Sequence, residues 1–328
     1  MEEKSMKAVV FGGTGFIGGH VAEQLHLAGH RVTAVVRKTS NTAFLDSLGV
    51  DVVRIDFSDP AAIADVMAGN DAAYNCTADA KLHTQISMNA PVEIELTRTL
   101  AEEAAKQGIS RFIQLSTMVI YDFQSNEPID ESYVSKPEYP IQRLGIERER
   151  VVGEVGRKTG MTTVVLRPAS TIGVRDTTSF FARLFAAHAH DRYPMIGEGA
   201  AQVSLVDTRD IGRAMVWLGT FQKQPQDDGV YLLKGFDTTW RQLKEAMDLA
   251  AGKTAKMLEL PEALTEDEMA AYGLSPFAVK TMAVNRIWKD DKIRKLGFAT
   301  KYSLTDAVEA EVRDLLSRKR TSENSGIL

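Results

Sequence analysis

A short apolar segment that leads directly into a cluster of glycines constrains the fold of this chain more than any other feature. Residues 8–11, AVVF, have the character of a buried strand, and an apolar pattern with helical spacing follows the glycines. Gly13, Gly15 and Gly18 fit G-x-G-x-x-G, and Gly12, Gly15 and Gly18 fit G-x-x-G-x-x-G. In a strand–turn–helix unit such glycines allow a tight turn, close approach of a pyrophosphate, and close packing of the helix.

This segment predicts a dinucleotide site where the first helix begins. Unpaired N–H groups and the positive end of the helix dipole attract phosphate at such a position. A tight turn without a ligand is the simpler alternative. The residues expected to bind the cofactor at this turn are Gly12, Gly13, Thr14, Gly15, Phe16, Ile17 and Gly18.

Strand-like and helix-like segments alternate through the first half of the chain. The strands are predicted at 8–11, 31–36, 51–55, 72–76, 111–116 and 162–167, and the helices at 15–28, 42–48, 59–67, 91–107 and 139–159. This alternation is typical of a doubly wound α/β fold, a parallel sheet with helices on both faces. We therefore expect a Rossmann-type domain over residues 1–170, to which 203–233 returns, and a smaller C-terminal α/β substrate-binding region over 171–202 and 234–328.

Composition excludes several classes of function. The net charge of −5 argues against a nucleic-acid partner, and no apolar run is long enough to span a membrane. The first residues, MEEKSMK, are polar and are not typical of a signal peptide, and the lone Cys76 fits a reducing compartment. We therefore expect a cytoplasmic protein with a buried, unreactive thiol. His188 and His190 lie in no Cys/His cluster, so no metal site is expected.

The choice between NAD and NADP is read at the end of the second predicted strand. Proteins that bind NAD usually carry an acidic residue there, which holds the ribose 2′-hydroxyl. This chain has Arg37 and Lys38 instead. An arginine favours a 2′-phosphate because the hydrogen bond is charge-assisted, so NADP is predicted over NAD. Two exposed cations without a ligand are the alternative.

Five ordered segments resemble the extended short-chain dehydrogenase/reductase family, which includes nucleotide-sugar epimerases and dehydratases and reductases similar to dihydroflavonol reductase. They are GGTGFIG at 12–18, LSTMVIYD at 115–122, LRPASTIG at 166–173, IGEGAAQVSLVDTRDIGRAM at 196–215 and DDKIRKLGF at 290–298. The resemblance covers nearly the whole chain, although Phe11 stands where the family usually has threonine. It implies a Rossmann fold, a small-molecule substrate and a homodimer built from the helices near 91–107 and 139–158.

The chain departs from this family at the catalytic pair. The family has Tyr-x-x-x-Lys at the start of the long helix after strand five, and this chain has Tyr139 and Arg143. Tyr133 and Lys136 are spaced by three rather than four residues, so they do not replace the pair. The resemblance implies Tyr139 as acid/base and Thr117 as the residue that orients the substrate. Arg143 would then be the cation that favours the phenolate. A tyrosine beside a solvated arginine in a non-catalytic protein is the alternative.

The same resemblance assigns further cofactor contacts. It implies that Asp56 and Phe57 hold the adenine. It also implies that the loop after strand four lies beside the pyrophosphate and ribose, and that two residues near the end of strand six contact the nicotinamide. The loop residues are Asn75, Thr77 and Ala78, and the nicotinamide residues are Pro168 and Ser170.

The substrate is less well defined by the sequence. Four apolar side chains after residue 179 line an apolar pocket or belong to the core: Phe180, Phe181, Phe185 and Met195. Three arginines are candidates for binding the diphosphate of a nucleotide sugar: Arg183, Arg192 and Arg209. The sequence favours an NADP-dependent oxidoreductase acting on a small carbonyl or hydroxyl compound. A nucleotide-sugar epimerase or dehydratase, and a non-catalytic NADP-binding sensor or scaffold, stay open as alternatives.

Overall fold

The computed structural model describes residues 5–78, 82–176, 179–220, 229–261, 263–272 and 274–324. Its strands are β1 (Lys7–Phe11), β2 (Arg31–Arg37), β3 (Asp51–Ile55), β4 (Ala72–Asn75), β5 (Arg111–Leu115), β6 (Thr162–Pro168), β7 (Ser170–Ile172), β8 (Tyr193–Ile196), β9 (Gln202–Asp207), β10 (Val230–Leu233), β11 (Phe236–Thr239) and β12 (Met257–Leu260). Its helices are α1 (Phe16–Leu27), α2 (Ala43–Leu48), α3 (Pro60–Met67), α4 (Leu82–Lys106), α5 (Pro140–Thr159), α6 (Phe180–Ala189), α7 (Thr208–Thr220), α8 (Trp240–Ala251), α9 (Glu266–Ala271), α10 (Pro276–Ala283), α11 (Asp291–Lys295) and α12 (Leu304–Asn324).

A seven-stranded parallel sheet forms the larger part of the fold. Its strand order is β10-β6-β5-β4-β1-β2-β3, and each neighbouring pair is parallel. The chain winds outward from β1 in both directions, so the order reverses between β1 and β4. In open α/β sheets the crevice at such a reversal, at the carboxyl ends of the strands, is the usual place for a ligand. The predicted doubly wound fold is confirmed.

The alternating faces of β1 divide the core of this sheet into two layers. Ala8 and Val10 belong to an apolar cluster that includes residues of α1 and α7. Val9 and Phe11 belong to another that includes residues of α3, α4 and α5. Side chains of a strand alternate between its faces, so a wholly apolar strand is buried on both sides, as parallel sheets require.

The helix ends agree with the sequence in one case and not in another. The Asp59 side chain accepts the N–H groups of Ala61 and Ala62, and Pro60 opens α3, as predicted. The helix predicted to start at Pro91 instead starts at Leu82, with Pro91 inside it. Proline fits best in the first turn, and this preference led to the wrong boundary.

The C-terminal part contains a smaller sheet and a separate core. β7, β9 and β11 form a three-stranded sheet, while β8 pairs with β12. Within 203–233, β9 belongs to this smaller sheet, whereas β10 joins the large sheet and α7 packs against α1. Phe181, Phe185 and Met195 are almost fully buried in the second core, so they are core residues and not pocket lining. No helix among the described residues is both long and apolar enough to cross a membrane.

Candidate active site

The glycine turn joins β1 to α1 at the centre of the carboxyl edge of the large sheet. Gly12 has φ +81°, a conformation that favours glycine, and its carbonyl accepts the Gly15 N–H at 2.9 Å. A Cβ at Gly12 would lie 2.7 Å from the carbonyl oxygen of Cys76, and a Cβ at Gly18 would overlap the carbonyl of Gly12. The glycines therefore allow the turn, α1 and the loop after β4 to pack without clashes.

The first turn of α1 is available to an anion. Thr14 and Gly15 are exposed, and no side chain caps the helix at Gly15. The N–H groups at the start of a helix have no intrahelical partner, and together with the dipole they attract phosphate. A Cβ at Gly15 would meet the Gly12 carbonyl at 3.1 Å and no other atom within 4 Å. The space beside Gly15 is open, as a close approach of pyrophosphate requires. Phe16 and Ile17 are the first residues of α1, and Gly13 packs against Ala34 of β2.

Two cations lie at the carboxyl end of β2. Arg37 and Lys38 are both exposed. Arg54 of β3 braces the loop behind them, because its guanidinium donates to the carbonyls of Lys38 at 3.2 Å and Ser40 at 2.8 Å. The predicted pair of cations therefore projects from a loop that is held in place.

The predicted adenine residues follow β3. Asp56 accepts the backbone N–H of Ser58 at 3.0 Å and its hydroxyl at 2.7 Å. The backbone bond from Ser58, then its hydroxyl, and finally the charge of Lys38 lower the pKa of Asp56. Phe57 packs edge-on against Phe11, with ring centres 6.1 Å apart. The carboxylate therefore stays charged and shapes the turn after β3.

The loop after β4 is held from beneath by a buried arginine that the sequence did not single out. The Asn75 amide donates to Gln114 at 2.9 Å and accepts from the Thr77 hydroxyl at 2.7 Å. Arg148 of α5 donates to the Thr77 carbonyl at 2.9 Å and lies 3.5 Å from Glu93. Burial lowers the pKa of Arg148. Asn75 and Thr77 therefore fix the wall of the crevice, while Ala78 is exposed beside it.

Cys76 lies in the same loop and is buried, as predicted. Burial raises the pKa of its thiol to about 12. A thiol is a poor nucleophile when it is not ionised, so Cys76 is a core residue.

The loop after β5 carries Thr117. Its Oγ1 accepts the N–H of Val119 at 3.1 Å, which leaves the hydroxyl hydrogen able to donate elsewhere. The preceding Ser116 hydroxyl donates to Glu149 of α5, and Arg167 of β6 forms an ion pair with Glu149 at 2.5 Å. Arg167 also donates to the Tyr121 hydroxyl at 2.7 Å. This largely buried network ties β5, β6 and α5 together behind Thr117.

The predicted nicotinamide residues lie beside the same edge. Pro168 ends β6 and is buried opposite Leu233 of β10. Ser170 begins β7 and pairs with Leu205 of β9. Pro168 therefore belongs to the large sheet and Ser170 to the smaller one, at the point where the chain passes between them.

Tyr139 stands at the start of α5, where it is the N-cap residue. Its ring packs edge-on against Phe123 and Phe277, with centres 6.0 and 5.4 Å apart. Gln142 fixes the backbone here, since its side-chain oxygen accepts the Tyr139 N–H at 2.8 Å and its amide donates to the Tyr121 carbonyl at 2.8 Å. The ring orientation and the helix start are thus both set by contacts.

Arg143 is exposed one turn further along α5. Its guanidinium donates to the carbonyls of Pro137 at 3.2 Å and Glu138 at 3.4 Å. The pairing of Arg143 with the Tyr139 hydroxyl stays a prediction.

Two other cations lie at the aromatic cluster around Tyr139, and both come from the C-terminal part of the chain. Lys280 of α10 lies 5.8 Å from the centre of the Tyr139 ring. Arg286 is buried, and its guanidinium lies 4.3 Å above the Phe123 ring. Burial lowers the pKa of Arg286 to about 10. Sequence reasoning missed both because no local pattern connects them with Tyr139.

The three arginines proposed for a diphosphate differ in their surroundings. Arg209 forms an ion pair with Asp207 at 2.6 Å and stacks on the Tyr302 ring at 3.6 Å. Its charge is therefore already neutralised. Arg183 lies over the Phe180 ring at 5.7 Å, while Arg192 is exposed.

Comparison with known proteins agrees with this geometry. Sterol demethylase protein B of Methylococcus capsulatus is 25% identical over 267 residues, which cover 80% of this chain and 79% of that protein. The decarboxylating sterol-4-alpha-carboxylate 3-dehydrogenase of Dictyostelium discoideum is 22% identical over 326 residues, covering 91% and 97%.

Solved structures share the fold at low sequence identity. UDP-glucose 4-epimerase of Thermotoga maritima, with UDP-glucose, matches with a TM-score of 0.80 at 21% identity over 96% of this chain and 100% of that chain. Residues 8–233, from β1 to the end of β10, match the model of the NAD dependent epimerase/dehydratase family. The expected resemblance is confirmed, and the chain belongs to this NAD(P)-binding family of extended short-chain dehydrogenases/reductases.

Proposed function

We propose that this chain is an NADP-dependent oxidoreductase that transfers a hydride between nicotinamide and a small carbonyl or hydroxyl compound. The order of groups along one sheet edge carries this proposal. Arg37 ends β2 and Lys38 follows it, the glycine turn follows β1, and Thr117 lies in the loop after β5. A dinucleotide lying across this edge would have its phosphates at the end with the cations and the glycine turn, and its nicotinamide at the end with the Thr117 hydroxyl.

The residues present fit such a cofactor. The open space beside Gly15 and the uncapped first turn of α1 suit a pyrophosphate. Arg37 suits a 2′-phosphate, since a guanidinium forms charge-assisted hydrogen bonds with phosphate oxygens. When bound, the dinucleotide supplies or accepts the hydride.

The protein's own residues then handle the substrate oxygen and its proton. Thr117 donates its hydroxyl hydrogen to that oxygen and orients it. Tyr139 donates a proton to the oxygen as negative charge develops during reduction, and takes it back during oxidation. The edge-on packing of Phe123 and Phe277 keeps the Tyr139 ring in one orientation. General acid–base catalysis by a positioned side chain is worth about 10²–10⁴-fold in rate.

A nucleotide-sugar epimerase is the second candidate, because a solved epimerase shares the fold over nearly the whole chain. The ion pair between Arg209 and Asp207 weakens this candidate, since it removes one cation that a diphosphate would need. An epimerase keeps its cofactor through each cycle. Cofactor that stays with the purified protein, without net consumption of NADPH on any carbonyl, would favour this second function.

The decisive experiment is NADPH consumption across a panel of carbonyl compounds with wild type and Tyr139→Phe. We expect the variant to lose about 10²–10⁴-fold in kcat while its affinity for NADPH is kept. Tyr133→Phe is the matched control, because the Tyr133 hydroxyl bonds to Asp122 at 2.8 Å and has no proposed role. Wild-type turnover in Tyr139→Phe would show that another group is the acid.

We also expect a homodimer in the cytoplasm, formed through the outer faces of α4 and α5. These helices pack side by side, and Val92 of α4 is 67% exposed. Light scattering coupled to gel filtration tests this expectation. A monomer at micromolar concentration in the wild type would contradict it.

A further inference from the structure

The helix α10 covers Tyr139 with two of its side chains. Ser275 caps this helix and Pro276 opens it, so its first turn is well defined. Phe277 and Lys280 are three residues apart and lie on one face of the helix. Phe277 contacts the Tyr139 ring edge-on at 5.4 Å, and the Lys280 ammonium lies 5.8 Å from the centre of the same ring.

The position of Lys280 is fixed by an ion pair. Its Nζ lies 2.6 Å from Oε2 of Glu138, the residue before Tyr139. The other oxygen of Glu138 accepts the amide of Gln124 at 3.4 Å. The side chains of Lys280 and Glu138 are 46% and 28% exposed, so solvent reaches the pair.

We infer that Lys280, and not Arg143, supplies the positive charge that favours the phenolate form of Tyr139. This inference rests on the proposed role of Tyr139 as acid/base. Lys280 acts through the tyrosine and is therefore a positioning residue. In the pair that the resemblance implies, Arg143 stands where the family keeps its lysine, and α10 brings another lysine to the Tyr139 ring from the C-terminal part of the chain.

The other charged groups near Tyr139 have contacts of their own, although Nε and Nη1 of Arg286 have no hydrogen-bond partner among the described residues. Arg143 reaches the carbonyls of Pro137 and Glu138. Arg286 lies over Phe123 and contacts the carbonyls of Met118 and Tyr121, each at 3.4 Å. The carboxylate of Asp122 accepts the Lys136 N–H at 2.5 Å and the Tyr133 hydroxyl at 2.8 Å.

Among the residues that the structure describes, Glu138 is the opposing charge in direct contact with the Lys280 ammonium. Its hydrogen bond to Lys280 is the largest of the influences that raise the pKa of that lysine, followed by the charge and hydroxyl of Tyr139 among others. Lys280 therefore keeps its proton near neutral pH. The ammonium lies beside the ring, and Glu138 offsets part of its charge while also accepting the Gln124 amide at 3.4 Å.

The test follows the ionisation of Tyr139 directly and needs neither substrate nor cofactor. The full chain is labelled with ¹³C at the phenol carbon of its eight tyrosines, and Tyr139 is assigned from the signal lost in Tyr139→Phe. We expect Lys280→Met to raise the midpoint of this titration by about one pH unit or more, the scale of a cation a few ångströms away. Lys280→Arg should return the midpoint close to that of the wild type, because it restores the charge.

Arg143→Met is the matched control and should move the midpoint much less. A midpoint that rises in Arg143→Met but not in Lys280→Met would overturn the assignment, and so would no change in either variant. Lys280→Gln, a second neutral variant, gives the same comparison if Lys280→Met does not fold. Since the titration is measured without turnover, it can support Lys280 even if no carbonyl substrate is found, which separates this inference from the proposed function.

Discussion

Replacing Arg37 by alanine tests the cofactor assignment at the point where the chain differs from proteins that bind NAD. Arg37 is the last residue of β2 and is exposed, so its removal should leave the fold intact. A hydrogen bond to a charged group contributes about 1.5–3 kcal/mol. The loss corresponds to a roughly ten- to hundredfold weaker affinity for NADPH. Because Lys38 still places one cation beside the phosphate, we expect the lower half of that range.

A matched control lies on the same strand. Arg31 begins β2 and is also exposed, about 20 Å from Arg37 at the usual rise of about 3.3 Å per residue. That distance is more than twice the Debye length of about 8 Å at physiological salt, so the charge of Arg31 is screened from the site. Arg31→Ala should therefore bind NADPH like the wild type.

The assay is a fluorescence titration of both reduced cofactors with wild type, Arg37→Ala and Arg31→Ala. NADH has no 2′-phosphate, so Arg37→Ala should change its affinity little. Equal affinity of the wild type for NADPH and NADH would refute the reasoning. An equal loss for both cofactors in Arg37→Ala would refute it as well, because the arginine would then contact a part that they share.

Two further predictions concern the turn and a buried carboxyl. Gly15→Val should abolish NADPH binding in calorimetry, while its circular dichroism spectrum stays that of the wild type. Gly18→Val should instead destabilise the fold, because its Cβ would overlap the Gly12 carbonyl. Normal NADPH binding by a folded Gly15→Val would show that this turn is not the cofactor site. Burial, and then the neighbouring Asp176, raise the pKa of Glu311 to about 11 from 4.5, so the folded chain keeps a proton that the unfolded chain releases. The free energy of unfolding should therefore fall as the pH rises from about 4.5 to 11, by up to about 1.4 kcal/mol per pH unit. In urea unfolding, Glu311→Gln should stabilise the chain more at pH 9 than at pH 5. Glu309→Gln, at an exposed position, is the control and should show no such difference.

The elements that the sequence predicted well are those set by local patterns. β3 was predicted to the residue, and α1, β2 and β5 to within one residue at each end. Each combines an apolar run or stripe with a turn residue beside it. The need for glycine in this turn was also predictable from the local pattern, because Gly12 has a positive φ and a Cβ at Gly18 would overlap the Gly12 carbonyl.

The parts that were not predicted depend on contacts between distant segments. Lys280 and Glu138 are 142 residues apart, and Arg148 meets Thr77 across 71 residues. A single lysine on a short helix and a single arginine in a charged helix carry no pattern that names their partners. The family resemblance implies a role for Tyr139 at the start of a long helix, but which cation lies beside its ring depends on how α10 packs.

The helix α5 explains how a site assembled from several loops can hold one geometry. Its N-cap is Tyr139, and Gln142 binds that residue's N–H and the carbonyl of Tyr121 on the β5 loop. Farther along, Arg148 fixes the loop after β4, and Glu149 accepts the hydroxyl of Ser116 beside Thr117. A shift of α5 would break all of these bonds together, so the same helix positions the predicted acid, the residue predicted to orient the substrate and the wall of the predicted cofactor crevice. Lys280 lies on α10, outside these bonds, and is held instead by Glu138, the residue before Tyr139. In our inference, the charge beside the tyrosine can therefore come from a different part of the fold while the position of the tyrosine stays fixed.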